Sequence, residues 1–168
     1  CNNLCKFCLQ GDHRRRVTPA IPMARLRRSL QEGIASGARR LVVTGGEPTL
    51  HAQVVGVVRE WRRLGYPDVL IQSNGRSFQS EKVCRSLIDA GVNTFALSLH
   101  GSNSETHDYL TSRKGSFLQV VKGIKNLKRM GQSVVTNTVI TTANYRDLPE
   151  IARLAVFLRV DQCQFAFV

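Results

Sequence analysis

The sequence predicts an α/β domain of parallel strands joined by helices. Three observations carry this: five short runs rich in β-branched and aromatic residues, amphipathic segments of helical period between them, and a glycine close behind four of those segments. The strand-like runs are 39–44 (RRLVVT), 69–74 (VLIQSN), 93–99 (NTFALSL), 133–140 (SVVTNTVI) and 162–168 (QCQFAFV). Ahead of the first, Met23, Leu26, Leu30 and Ile34 recur at three-and-four spacing. The same spacing returns in Val54, Val57, Val58, Trp61 and Leu64, and then in Val83, Leu87 and Ile88. Phe117, Val120, Val121, Ile124 and Leu127 follow, and last come Leu148, Ile151, Leu154 and Leu158. Gly37, Gly65, Gly91 and Gly131 stand where a left-handed helix stop is wanted. Strands joined through helices run parallel with right-handed crossovers, so the chain builds either an open doubly wound sheet or part of a (βα) barrel. Periodicity does not separate the two, but both gather ligands beyond the carboxyl ends of the strands.

A length of 168 residues suits one domain, and 42% apolar, 7% aromatic and 21% charged residues exclude a disordered tail, a coiled coil and a dense disulfide scaffold. No apolar window is long enough for a membrane helix, and no charged segment followed by an apolar one opens the chain, so neither a membrane partner nor secretion is expected. The 24 basic and 12 acidic residues leave a formal charge of +12, with 18 Arg against 6 Lys. That charge permits nucleic-acid binding. The arginines, however, are scattered through Arg25, Arg27, Arg28, Arg39, Arg40, Arg59, Arg62, Arg63, Arg85 and Arg153, mostly between apolar positions of helix-like segments, where solvated faces are expected. The chain begins at Cys1 without an initiator Met and ends on an apolar run, and it reads as part of a longer protein.

Cys1, Cys5 and Cys8 have the spacing C-x3-C-x2-C, with Phe7 directly before the third. Three thiols this close, in a chain without secretory features, favour metal ligation in a reducing cytoplasm over disulfides. A closed structural zinc site wants a fourth ligand, and His13 is the nearest. Beside Arg14, Arg15 and Arg16 it reads more simply as an exposed loop residue. Cys84 and Cys163 fall within apolar helix and strand patterns, where a cysteine is a small packing residue. A cubane iron–sulfur cluster on three thiolates instead leaves one iron open to an outside ligand.

Other polar groups collect at strand ends. Gly45, Gly46 and Glu47 follow the first strand without a gap, as a tight turn or as backbone that approaches a ligand beside a carboxylate. The next strand ends Gln72-Ser73-Asn74-Gly75, and the third ends Ser98-Leu99-His100-Gly101. Arg113 lies in the stretch leading to the fourth helical pattern. Asn137 lies within the fourth strand and offers an amide.

Together, C-x3-C-x2-C with an aromatic before the last cysteine, followed by Gly45-Gly46-Glu47-Pro48 at a strand end, resembles the radical S-adenosylmethionine (radical SAM) superfamily. The resemblance implies a partial (βα)6, TIM-like barrel whose first strand precedes Cys1, with residues 1–168 as the core domain. It implies that Cys1, Cys5 and Cys8 hold a [4Fe–4S] cluster whose open iron chelates S-adenosylmethionine. One-electron reduction then yields a 5′-deoxyadenosyl radical that abstracts a substrate hydrogen. Phe7 is implied near the adenine, and Gly45, Gly46 and Glu47 at the cradle of the methionine amino group. Asn74 stands in a stretch like the family's Thr-Asn-Gly. Ser98 is implied near the ribose or carboxylate, Asn137 near the ribose, and Arg113 at the carboxylate. Residues 105–108 and 113–117 resemble the loop into the fourth helix. Many relatives carry Asp where this chain has His100, whose role stays open between a substrate-side proton donor and a loop residue. The partners implied are a one-electron reductant protein and a substrate that is a peptide or a small cofactor precursor. Nucleic acid is disfavoured. The competing reading is a zinc-stabilised basic nucleic-acid module, and a radical enzyme acting on RNA is the mixed case.

Overall fold

Helix α1 (Met23–Ala35) leads into strand β1 (Arg40–Val43), after which the chain runs through α2 (Val54–Arg63), β2 (Asp68–Ser73), α3 (Glu81–Ala90) and β3 (Thr94–Ser98). Two helices in succession, α4 (Ser104–Thr111) and α5 (Ser116–Arg129), precede β4 (Ser133–Ile140), α6 (Leu148–Phe157) and β5 (Gln162–Phe167). The computed structural model describes residues 1–9 and 21–167. The strands pair in parallel in the order β1-β2-β3-β4-β5. A doubly wound sheet reverses its strand order at a switch point. Here the order never reverses, so right-handed crossovers carry every connecting helix to one face. The sheet is therefore an open, partial barrel, and strand order decides what periodicity left undecided.

The strands lie within a residue or two of their expected positions, and the glycines behind α1, α2, α3 and α5 all take positive φ. Helix α4 departs from expectation, since residues 105–108 form part of a helix and not a loop. The outer face of the sheet is the core. Val69 and Ile71 of β2, Phe95 and Leu97 of β3, and Val134 of β4 pack with Val58, Leu87, Val120, Ile124 and Leu127 from the helices. Each such side chain taken from water contributes roughly 1.5–3 kcal/mol before the entropy of ordering it is set against it. The opposite face carries Val42, Leu70, Ala96 and Val135 together with polar side chains. Ser98 is the register partner of Asn137, and Asn137 of Gln164, so these three share one row of that face, and Gln72 lies on the same side of β2.

Cys84 is buried in α3 and donates to the Phe78 carbonyl at 3.2 Å, and burial pushes its thiol up to about 11, as suits a packing residue. Cys163 corrects the same expectation. It is only half-buried, because β5 is an edge strand whose described residues are otherwise exposed. The ten arginines expected on outer faces are all exposed. Several lie in surface ion pairs, Arg27 and Arg63 with Glu60, Arg40 with Asp68, Arg85 with Glu81 and Arg153 with Glu150. Such exposed pairs stabilise little. Among the described residues no helix is long and apolar enough to cross a membrane.

One packing contact positions the end of β2. Gly75 has φ +81°, and a Cβ there would lie 2.4 Å from Val120 of α5, while a Cβ on Gly123 would lie 2.8 Å from the Gly75 carbonyl oxygen. Backbone therefore meets backbone, and Asn126 of α5 donates to the carbonyls of Phe78 and Gln79 at 2.9 and 3.1 Å. Gly75→Ala is expected to cost about 3 kcal/mol or more in unfolding free energy, as left-handed strain and overpacking add. Gly131→Ala, at φ +71° with nothing near its Cβ position, should cost only about 1 kcal/mol. Urea unfolding of the two variants measures the difference, and equal losses would show that the α5 contact does not restrict this turn.

Candidate functional site

The cysteine segment, residues 1–9, contains no helix or strand, so its backbone groups must be satisfied from outside. Helix α4 supplies the partners. Its last carbonyls have no intrahelical donor, and two of them are taken up by the segment: Leu4 N donates to Thr111 O and Lys6 N to Leu110 O, each at 2.9 Å. Cys8 N closes a turn onto Cys5 O at 3.2 Å, and the Lys6 ammonium lies 4.6 Å from the centre of the Tyr109 ring. Helix α4 is itself fixed at both ends. Asn103 caps it through Thr106 N at 3.0 Å, and the Asp108 carboxylate caps α5, accepting from Gly115 N at 2.6 Å and from Phe117 N and Ser116 Oγ at 2.8 Å. Burial alone would raise the Asp108 pKa, but these hydrogen bonds outweigh it and hold the carboxyl below its ordinary value.

Phe7 and His100 meet in a T-shaped contact with ring centres 4.7 Å apart, His100 stacks on His107 at 5.8 Å, and His107 meets Phe117 at 5.8 Å. His100 lies in the loop that follows β3, in line with the loop reading, but it is buried there. It is 3% exposed, and burial followed by the neighbouring His107 lowers its pKa to about 3. Burial lowers His107 to about 4 against a smaller opposing effect of Asp108. His100 Nδ1 accepts from Val139 N at 3.3 Å and His107 Nδ1 from His100 N at 3.1 Å, which places the proton of each neutral ring on Nε2.

Glu47 is 7% exposed, and both its oxygens are engaged within the protein. Oε1 accepts from Thr49 N, Thr49 Oγ1 and Ser73 Oγ at 3.1, 2.6 and 2.8 Å, and Oε2 accepts from Asn74 N at 2.7 Å. These hydrogen bonds tie the ends of β1 and β2 together through one carboxylate. That tie leaves Gly45 and Gly46 exposed, and a Cβ on Gly46 would lie 3.3 Å from Cys1 N. Asn74 Nδ2 donates to Asn2 Oδ1 at 2.6 Å and lies 3.9 Å from Cys1 Sγ. Arg113 is exposed and donates from Nε to Asn2 O at 3.0 Å. Ser98 and Asn137 are half-buried on the open face of the sheet.

Phe7, Gly46, Asn74 and Arg113 are therefore gathered around the cysteine segment, and Glu47 acts behind Gly46. His13 and Arg14 to Arg16 lie outside the described residues. Arg76 and the α4 platform escaped sequence reasoning. Nothing in the periodicity marks a short helix held by its cap, or an arginine with two partners more than 70 positions away.

Among the described residues, no three Cys, His, Asp or Glu side chains converge so as to hold a single metal ion. A tetrahedral mononuclear centre draws its sulfurs to within about 4 Å of one another, whereas a cubane takes thiolates on separate irons. The donor set fits the latter: three cysteines on one short segment, beside an exposed glycine turn in which a Cβ on Gly46 would lie 3.3 Å from Cys1 N.

The Radical SAM superfamily matches residues 1–155. The chain is 29% identical over 173 residues to a GTP 3′,8-cyclase of Marinobacter nauticus, covering 100% of this chain and 50% of the relative. It thus spans about half the length of the curated relatives it matches. Streptococcus suis SuiB bound to S-adenosylmethionine superposes with a TM-score of 0.84 at 21% identity, covering 99% of this chain and 38% of SuiB. SuiB bound to precursor peptide SuiA gives 0.81 at 21% identity, covering 99% and 37%. These structures share the partial-barrel fold.

Two predictions concern the buried polar groups. Both histidines bind a proton near 6.5 when unfolded, but only near 3 and 4 when folded. Stability is therefore full above pH 6.5 and is lost as pH falls from there towards 4, with a slope approaching two protons. His107→Asn keeps an acceptor for His100 N and should reduce that slope by about one proton in unfolding measured against pH. An unchanged slope would assign the linkage elsewhere. Glu47→Gln sets an amide donor against the donors around it, and chemical unfolding should show a loss of about 1–3 kcal/mol.

Proposed function

The chain belongs to the radical SAM superfamily, and from that premise we propose that residues 1–168 form the core domain of a radical SAM enzyme, with Cys1, Cys5 and Cys8 as ligands of its [4Fe–4S] cluster. The observation that carries this reading is the approach of the Gly45-Gly46 turn to Cys1, at a strand end, in a family whose cofactors are that cluster and S-adenosylmethionine. The chemistry supplied at such a site is one-electron reductive cleavage of S-adenosylmethionine to methionine and a 5′-deoxyadenosyl radical that takes a substrate hydrogen.

This chain's residues do the holding. Exposed backbone at Gly45 and Gly46 receives the amino group of the methionine moiety, and Glu47 fixes that turn from behind. Phe7, pressed against His100, offers an apolar face to the adenine. Ser98 and Asn137 offer a hydroxyl and an amide from one row of the open sheet face. Arg113 lies beside the segment with a cation for the carboxylate. A low-dielectric, neutral histidine stack beneath Phe7 strengthens these polar contacts and takes up no proton near pH 7.

The substrate we propose is a peptide or a small cofactor precursor, for a relative is named for a reaction of GTP and a fold neighbour binds a precursor peptide. A one-electron donor protein and a cytoplasmic setting complete the reading. A zinc-stabilised nucleic-acid module is less well supported. Cys84 is buried in α3, Cys163 lies on β5, and most of the arginines named for outer faces that pair at all pair with surface carboxylates.

The test is anaerobic loading of the full-length protein with iron and sulfide. Wild type should bind about four irons per cubane site. Cys1→Ala, Cys5→Ala and Cys8→Ala should each abolish that site, while Cys84→Ala and Cys163→Ala retain it. Reduced wild type should release 5′-deoxyadenosine from S-adenosylmethionine, as read by mass spectrometry. One equivalent of zinc with no iron would overturn the reading.

A further inference from the structure

We propose that Arg76 is a positioning residue that both fixes the cysteine segment and sets the reduction potential of the centre it holds, an inference that rests on the cluster reading above. Arg76 follows Gly75 at the carboxyl end of β2 and is half-buried. Its Nη1 donates to Asn2 O at 2.7 Å and to Asn3 Oδ1 at 3.1 Å, and its Nε donates to Gln119 Oε1 at 2.5 Å. Asn2 and Asn3 lie within the three residues that separate Cys1 from Cys5, and Asn3 is 2% exposed. The guanidinium thus grips the cysteine segment from the sheet, and Gln119 of α5 braces it from the other side.

Charge gives this contact a second consequence. The Arg113 Nε donates to the same Asn2 carbonyl at 3.0 Å, so two cations converge on one neutral oxygen. Among the described residues neither arginine forms an ion pair with a carboxylate, although six other described arginines pair with acids close at hand. A half-buried guanidinium left uncompensated beside a second one is costly, and an anion next to both removes that cost. A cubane on three thiolates carries a net negative charge and gains another on one-electron reduction. Cations fixed beside it favour the more negative, reduced state and so raise the potential. The arginine fork also orders the segment that places Cys1, so charge and geometry are supplied by one side chain.

Two substitutions in the full-length, iron-loaded protein separate these roles. Arg76→Gln removes the charge, and Arg76→Lys keeps the charge but loses the fork. A redox titration followed by electron paramagnetic resonance, without S-adenosylmethionine, is expected to show Arg76→Gln at least about 10-fold harder to reduce, equivalent to about 59 mV for one electron. Arg76→Lys should stay nearer wild type in potential while binding its iron less tightly to a chelator. If Arg76→Gln fails to retain iron, Arg113→Gln serves instead, because its side chain is exposed and makes a single contact with the segment. It should shift the potential in the same direction by a smaller amount. Iron-loaded variants with wild-type potentials would overturn this inference alone, leaving Arg76 a mere staple. A wild-type protein that takes up no iron would overturn the cluster reading and this inference together.

Discussion

The site depends on a backbone hydrogen-bonding debt. Nine residues with neither helix nor strand carry the three clustered cysteines, and every buried N–H and C=O among them needs a partner elsewhere. The carboxyl end of α4 has the complementary need, its final carbonyls being without donors. Leu4 and Lys6 join the two deficits into one contact. Around it the remaining supports fall into place. Asp108 fixes the α4–α5 junction, the α4 histidine backs His100, and His100 backs Phe7. Disturbing α4 would therefore reach the cysteines without touching any of them.

A second tie links the site to the sheet. Glu47 collects four hydrogen bonds from groups at the ends of β1 and β2, and hydrogen bonds to a charged acceptor are stronger than neutral ones. The carboxylate thereby sets the relative height of two strand-end turns, one beside Cys1 and the other bearing Asn74 and Arg76. The contact between Gly75 and Gly123 holds the second turn against α5. The polar groups at this pole thus serve each other first, and what they leave exposed is backbone.

The chain's positive charge divides into two populations. Most arginines lie on outer surfaces, where salt screening and solvent leave their ion pairs with small energies. Arg76 and Arg113 differ in kind, because their acceptors are amide oxygens, of the cysteine segment and of Gln119, and not carboxylates. A net charge of +12 is thus a poor guide to function, and the location of two guanidiniums is a better one.

Local and periodic features were legible in the sequence for a physical reason. A buried helix face or sheet face imposes a repeat of 3.6 or 2 on nearby residues, so Val54, Val58 and Trp61, or Val69 and Ile71, announce their elements unaided. The cysteine spacing and the Gly45-Gly46-Glu47 turn are local too, and they sufficed to indicate the family. Helix α4 left no such trace, since its stability comes from Asn103 at one end and the cysteine segment at the other. Periodicity left two architectures open and the family resemblance alone pointed to the barrel, whereas tertiary structure decided that the strands keep one order, that Glu47 accepts four hydrogen bonds within the protein, and that His100 is buried and neutral. It alone brought Arg76 to Asn2, because nothing in a chain's periodicity encodes a contact between residues 74 positions apart.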